Sequence, residues 1–138
     1  MNLFFNLNEI NIASRFIIEN SEFKLILFEG EIGSGKTTLI KKICQIFRVK
    51  DTVSSPTFPV LNIYNSDVGN IFHADLYRVE NIKDLNELGF FDILNLDNWI
   101  FIEWPNKFKK IFDENFTIVK IDKMSEHKRK LTITNYEF

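Results

Sequence analysis

Gly30-Glu31-Ile32-Gly33-Ser34-Gly35-Lys36-Thr37 is the stretch that decides how this chain is read. It matches G-x-x-x-x-G-K-[ST], the pattern of a loop that wraps phosphate, at every fixed position. Residues 23–28, Phe-Lys-Leu-Ile-Leu-Phe, come before it and predict a buried β-strand. Residues 38–47 follow with Leu39, Ile43 and Ile46 at helical spacing, flanked by Ile40, Cys44 and Phe47. Strand, glycine-rich turn and helix therefore occur in the order the chemistry needs. The glycines lack a Cβ, so the backbone can curl around an anion and turn its N–H groups inward. The start of the helix adds unpaired N–H groups and the positive end of its dipole. Lys36 can bring an ammonium to the β- and γ-phosphates, and the Thr37 hydroxyl suits Mg²⁺. The expected cradle for the triphosphate is Glu31, Ile32, Gly33, Ser34, Gly35, Lys36, Thr37 and Thr38. A bare turn between strand and helix has no need of Gly-Lys-Thr at its helical end.

Outward from this loop, composition sets the bounds. The chain has 138 residues, enough for one compact domain over 1–138 and too few for two. Apolar residues make up 45% and charged residues 26%, ordinary for a soluble globular protein. Fifteen phenylalanines imply a ring-rich core. A net charge of −2 argues against a large nucleic-acid surface. The one basic cluster, His127-Lys128-Arg129-Lys130, reads as a solvated turn, with a phosphate or partner contact as the alternative. The single cysteine, Cys44, allows no disulfide framework within the chain and suits a buried reduced thiol. No run approaches a membrane span, and residues 1–6 carry neither a basic leader nor a hydrophobic signal segment. The expected compartment is the cytoplasm.

In chain order, a first helix is expected from a cap at Asn6 or Asn8 to about Asn20, with Leu7, Ile10, Ala13 and Ile17 on one face. Beyond the loop helix, Pro56 and Pro59 make residues 53–59 a stiff exposed connection, and Thr57 between them is the candidate sensor of γ-phosphate or metal. Residues 60–64 and 70–75 read as strands, 79–91 as a polar turn with a helical piece, and 99–103 as a central strand. Residues 107–112 suggest a short helix. Residues 116–121 and 129–133 read as closing strands, the latter alternating as a half-exposed antiparallel edge would. The fold class expected is α/β: a phosphate-loop three-layer domain with a mainly parallel central sheet and antiparallel edge strands.

A phosphate-loop hydrolase needs a carboxylate at the C-terminal end of a neighbouring strand. Asp75 and Glu103 both end strands. The shorter Asp75 is assigned to the Mg²⁺ shell and Glu103 to aligning water, with the reverse assignment left open, so the metal candidates are Thr37, Asp75 and Glu103. His73 could orient Asp75, contact phosphate or hydrogen-bond in the core. Arg78 could counter phosphate charge, and Trp104 could pack beside the nucleotide, form a partner surface or simply fill space. Asn106-Lys107-Phe108-Lys109 begins like a guanine-selecting N-K-x-D element, but an ammonium at Lys109 cannot accept hydrogen bonds from a guanine edge. A small-molecule kinase would need a lid rich in arginine, and the chain has only Arg15, Arg48, Arg78 and Arg129. A nucleotide-dependent assembly module is a third reading.

The ordered combination of the phosphate loop with Ser55-Pro56-Thr57-Phe58, His73-Ala74-Asp75-Leu76-Tyr77-Arg78, Glu87-Leu88-Gly89-Phe90 and Ile102-Glu103-Trp104-Pro105 resembles the TsaE family, over nearly the whole chain. Pro59 departs from the commoner polar residue after Ser-Pro-Thr-Phe. The resemblance implies a Mg²⁺-dependent ATPase that joins the TsaB–TsaD pair and supports repeated synthesis of N6-threonylcarbamoyladenosine at position 37 of tRNA. Transfer of the group would belong to TsaD, and tRNA would be engaged through the complex. Lys36, Asp75 and Glu103 would be the catalytic residues, Thr37 would serve Mg²⁺, Thr57 would lie in a switch-like segment, and Trp104 would sit beside the glutamate.

Overall fold

The computed structural model describes residues 1–54 and 60–138. Ser55, Pro56, Thr57, Phe58 and Pro59, and with them the expectation for Thr57, lie outside the described residues.

The strands are β1 (Asn2–Asn6), β2 (Leu25–Glu29), β3 (Leu61–Ser66), β4 (Gly69–Asp75), β5 (Ile100–Glu103), β6 (Phe116–Lys123) and β7 (Lys128–Tyr136). The helices are α1 (Ile10–Asn20), α2 (Lys36–Ile46), α3 (Ile82–Glu87) and α4 (Phe90–Leu94), with 3₁₀ turns at Leu7–Glu9 and Asn106–Ile111. One seven-stranded sheet runs in the order β1-β7-β6-β2-β5-β4-β3. Its middle, β6-β2-β5-β4, is parallel, and the outer strands β7, β1 and β3 pair antiparallel. This is the α/β arrangement the sequence predicts, with antiparallel strands at both edges.

The apolar run of β2 shows why the domain has three layers. Successive residues of a strand face opposite sides. Ile26 and Phe28 join a core with Ala13 and Ile17 of α1 and Leu39, Ile40 and Ile43 of α2. Leu25 and Leu27 join the core on the other side, with Leu85, Phe90, Leu94 and Phe108. A strand covered on both faces must be apolar throughout, which is how residues 23–28 read. Phe28 meets Phe101 of β5 edge to face at 5.9 Å, within the upper core.

One expectation needs correcting, the edge position of the last strand. Residues 2–6, to which the sequence assigns no element, form β1, paired in register from Asn2↔Thr132 to Asn6↔Lys128. Strand β7 is therefore interior, and its alternation reflects helix α1 and the rest of the core covering one face rather than an edge. The helix itself begins after a 3₁₀ turn, where the Asn6 N–H donates to Glu9 Oε1 at 2.8 Å. The region 79–91 resolves into α3, capped by Asn81 accepting from the Asp84 N–H at 3.1 Å, and α4, with Gly89 between them. Cys44 is buried, and burial pushes its thiol pKa up to about 12, consistent with an inert core thiol.

Phe5 tests whether β1 belongs to the core, since its ring is only 3% exposed. Phe5→Ala is expected to lower unfolding stability by about 3–5 kcal/mol, the range for emptying a buried phenylalanine site. Urea unfolding followed by circular dichroism checks it; a change below about 1 kcal/mol would mean the strand frays.

Candidate functional site

Two register relations bring the acids to the loop. Phe28 lies beside Glu103 in the β2–β5 pairing, and Glu103 lies beside Asp75 in the β5–β4 pairing. The chain leaves β2 at Glu29 and turns at once into the phosphate loop, so loop, Glu103 and Asp75 emerge at one end of the parallel sheet. That end is where open α/β sheets bind ligands.

The loop's geometry depends on particular glycines. A Cβ on Gly30 would lie 2.4 Å from Ser34 Oγ and 2.9 Å from the Ile121 carbonyl, so no side chain fits there. Gly35, immediately before α2, has φ +111°, a conformation that side chains rarely adopt. Helix α2 starts at Lys36, two residues earlier than the apolar stripe suggests. Its first N–H groups have no carbonyl one turn back to bond, and they open the helix's positive end beside the loop.

A cavity of about 330 Å³ lies over this end, lined by Ile32, Gly33, Gly35, Lys36, Thr37, Thr38, Asp75, Glu103 and Trp104. A second, of about 450 Å³, adjoins it and shares Trp104; Glu29, Gly30, Glu31, Asn106 and residues 120–123 line it. Most of the residues singled out in the sequence thus meet in one place. Ser34 is buried within the loop, and Arg78 is exposed beyond the end of β4.

The side chains around the first cavity are tied to one another. Thr37 Oγ1 donates to Glu103 Oε1 at 2.7 Å. The other oxygen, Glu103 Oε2, is 2.7 Å from His73 Nε2, and His73 Nδ1 is 3.1 Å from the Tyr64 hydroxyl. Glu103 is 2% exposed and His73 fully buried, so this carboxylate is held from two sides. Asp75 is half-buried and accepts from the Tyr77 N–H at 3.0 Å, a turn that ends the strand.

Lys36 is buried too, and its ammonium is folded back on its own loop. Nζ donates to the Gly30 carbonyl at 2.5 Å and the Glu31 carbonyl at 3.2 Å, and sits 3.8 Å from the centre of the Trp104 ring. Desolvation lowers its pKa from the ordinary lysine value, with Glu103, Asp75 and Glu31 pulling the other way. Trp104 holds this position with φ +57°, a left-handed backbone at a bulky residue, and its ring packs on Tyr77 at 4.9 Å.

Arg129 was not expected here. Of the basic cluster read as a solvated turn, His127 does lie in the turn, but Lys128, Arg129 and Lys130 lie in β7, and Arg129 is 4% exposed. Its Nε donates to the Ser34 carbonyl at 3.0 Å and its Nη2 to the Gly33 carbonyl at 3.3 Å. Nη1 is anchored by the carbonyls of Ser125, Glu126 and Lys128. A guanidinium that draws loop carbonyls to itself leaves the peptide N–H groups to face the other way. The signal was in the strand: Arg129 shares the inward face with Leu131 and Ile133, where an unpaired charge would be costly. The sequence marks Tyr64 only as the end of the strand over residues 60–64. Lys109, the residue that breaks the guanine element, pairs with Glu29.

Oxygen donors from Thr37, Glu103 and Asp75 around one cavity suit a hard cation such as Mg²⁺, which takes few protein ligands when phosphates and water supply the rest. Among the described residues no cluster of three or more His, Cys, Asp or Glu side chains forms a self-sufficient metal cage. No helix among them is long and apolar enough to cross a membrane.

The chain is similar to known proteins. The chain is 33% identical over 129 residues to the tRNA threonylcarbamoyladenosine biosynthesis protein TsaE of Rickettsia prowazekii, covering 93% of this chain and 89% of the relative. It is 32% identical over 119 residues to the protein of the same name from Aquifex aeolicus, covering 85% and 80%. The crystal structure of Bacillus subtilus YdiB superposes with a TM-score of 0.73 at 20% identity, over 98% of this chain and 86% of that one, and so shares the fold. The family model described as threonylcarbamoyl adenosine biosynthesis protein TsaE matches residues 6–131, and with the relatives it establishes that this chain belongs to the TsaE family.

Proposed function

We propose that this chain, acting as a single phosphate-loop domain over residues 1–138, hydrolyses ATP with Mg²⁺ in the synthesis of threonylcarbamoyladenosine on tRNA. In this reading it works in the cytoplasm with the TsaB–TsaD pair, whose cycling its turnover supports, and meets tRNA through that complex. Family membership supports the pathway. The observation that carries the chemistry is the buried Glu103, bonded to the loop's Thr37 and level with Asp75.

The roles follow from what each group can do. Peptide N–H groups of the loop and the first turn of α2 bind the phosphate oxygens, and the neighbouring cavity past Trp104 has room for the nucleoside. The Lys36 ammonium leaves the Gly30 and Glu31 carbonyls for the β- and γ-phosphates, where it stabilises charge that grows in the transition state. Thr37 and Asp75 would hold Mg²⁺, with Glu103 beside them; the ion would neutralise charge on the β- and γ-oxygens. Glu103 orients the attacking water and accepts its proton. Nothing in the site favours a kinase: the described arginine nearest the loop, Arg129, is committed to backbone carbonyls behind it.

ATP turnover measured on the chain with and without TsaB–TsaD tests this reading. Glu103→Gln is expected to lower kcat by about 10²-fold, in line with loss of a general base. Equal turnover in the variant would remove Glu103 from the role, and an absence of stimulation by the pair would remove the partners.

Lys36→Met is expected to weaken Mg-ATP binding at least about tenfold, as befits a lost charge-assisted contact, without lowering the Tm at pH 7. The charged amine is the disfavoured form in the fold, so its removal relieves a cost that is present at neutral pH. That relief shrinks as pH rises through the lowered pKa towards the ordinary lysine value. Calorimetric titration and thermal unfolding at neutral and alkaline pH read both effects.

A further inference from the structure

We propose that Tyr64 and His73 are positioning residues: together they fix the tautomer and ring orientation of His73, and through it the direction in which Glu103 presents its carboxylate. The inference rests on reading Glu103 as the group that orients water. It adds to that reading a polar line running from the site across β5, β4 and β3, on the face of the sheet that α1 and α2 cover.

The line follows from proton counting. Glu103 Oε1 accepts from Thr37, and Oε2 lies 2.7 Å from His73 Nε2. An ionised carboxylate can only accept, so Nε2 carries the hydrogen. In the neutral ring Nδ1 is then an acceptor, and the group facing it at 3.1 Å is the Tyr64 hydroxyl. Tyr64 in turn accepts from Asn62 Nδ2 at 3.2 Å. Each atom along this line has a partner of the right kind, as a buried polar network requires. The two rings come from adjacent antiparallel strands, with Tyr64 3% exposed and His73 fully buried, so neither has room to swing away.

The Tyr64 hydroxyl has one proton and a second acceptor within reach, the Ser54 carbonyl at 3.2 Å. If the proton turns to Ser54, Nδ1 loses its donor, and the tautomer that gives Nε2–H to Glu103 loses its support. The Ser54 carbonyl is therefore a competitor for the proton that steadies the carboxylate.

The test uses the full chain labelled with ¹⁵N-histidine. There are two histidines, so His127→Gln leaves His73 as the one observed ring. Long-range ¹H–¹⁵N spectra are expected to show the Nε2–H tautomer, and Tyr64→Phe to shift the ring away from that single form. This arm needs neither nucleotide nor turnover, so it stands apart from the reading of Glu103, which Glu103→Gln addresses. In the turnover assay with TsaB–TsaD, Tyr64→Phe is expected to lower kcat about tenfold, the effect of one lost buried hydrogen bond, with the KM for Mg-ATP within about twofold. His73→Gln, which keeps an N–H donor, should retain more activity than His73→Leu. A wild-type ring in the Nδ1–H form, a Tyr64→Phe ring with the wild-type tautomer, or unchanged kcat in Tyr64→Phe or His73→Leu overturns the proposal.

Discussion

A carboxylate withdrawn from water is the constraint around which this end of the molecule is arranged. Glu103 is 2% exposed at the end of a strand that is itself covered on both faces. A buried anion without partners is costly by several kcal/mol, and here both oxygens are engaged, one by a hydroxyl and one by an imidazole. That requirement reaches in two directions. It ties the first turn of α2 to β5, and it draws a histidine into β4 between the buried Phe72 and Ala74. Loop, helix and two strands are thereby held in one mutual geometry by a single side chain.

The loop and its flanking elements were legible because their determinants are local. A strand buried on both faces, glycines that admit an otherwise blocked backbone and a helix that begins at the lysine all lie within one short stretch. Asp75 and Glu103 were legible because each ends an apolar run. What stayed hidden depended on long-range pairing. Strand β1 has just Leu3 and Phe5 facing inward, and the intervening Phe4, 54% exposed, blurs the alternation. Arg129 meets the loop across 95 residues of chain, and no periodicity names a partner that distant. Tyr64 reads as an ordinary strand aromatic until β3 and β4 are paired and its hydroxyl is seen to face a histidine.

Lys36 and Trp104 show how a buried ammonium is satisfied within the chain. The ammonium lies among two loop carbonyls and an aromatic face, a set of partners that each interact with a cation but cannot match a polyphosphate. Trp104 reaches this position through a left-handed backbone squeezed between Glu103 and Pro105. The strain and the cation contact are thus located in the same residue, and anything that relaxes one bears on the other.

The clamp on the loop by Arg129 has a consequence for how the protein comes into being. The side chain that holds the loop's carbonyls belongs to a strand 95 residues further along the chain, and that strand is itself paired between β6 and β1. During synthesis, therefore, the nascent loop has no rear support until the ribosome has passed Arg129, and its final geometry arrives with closure of the sheet rather than with the loop itself.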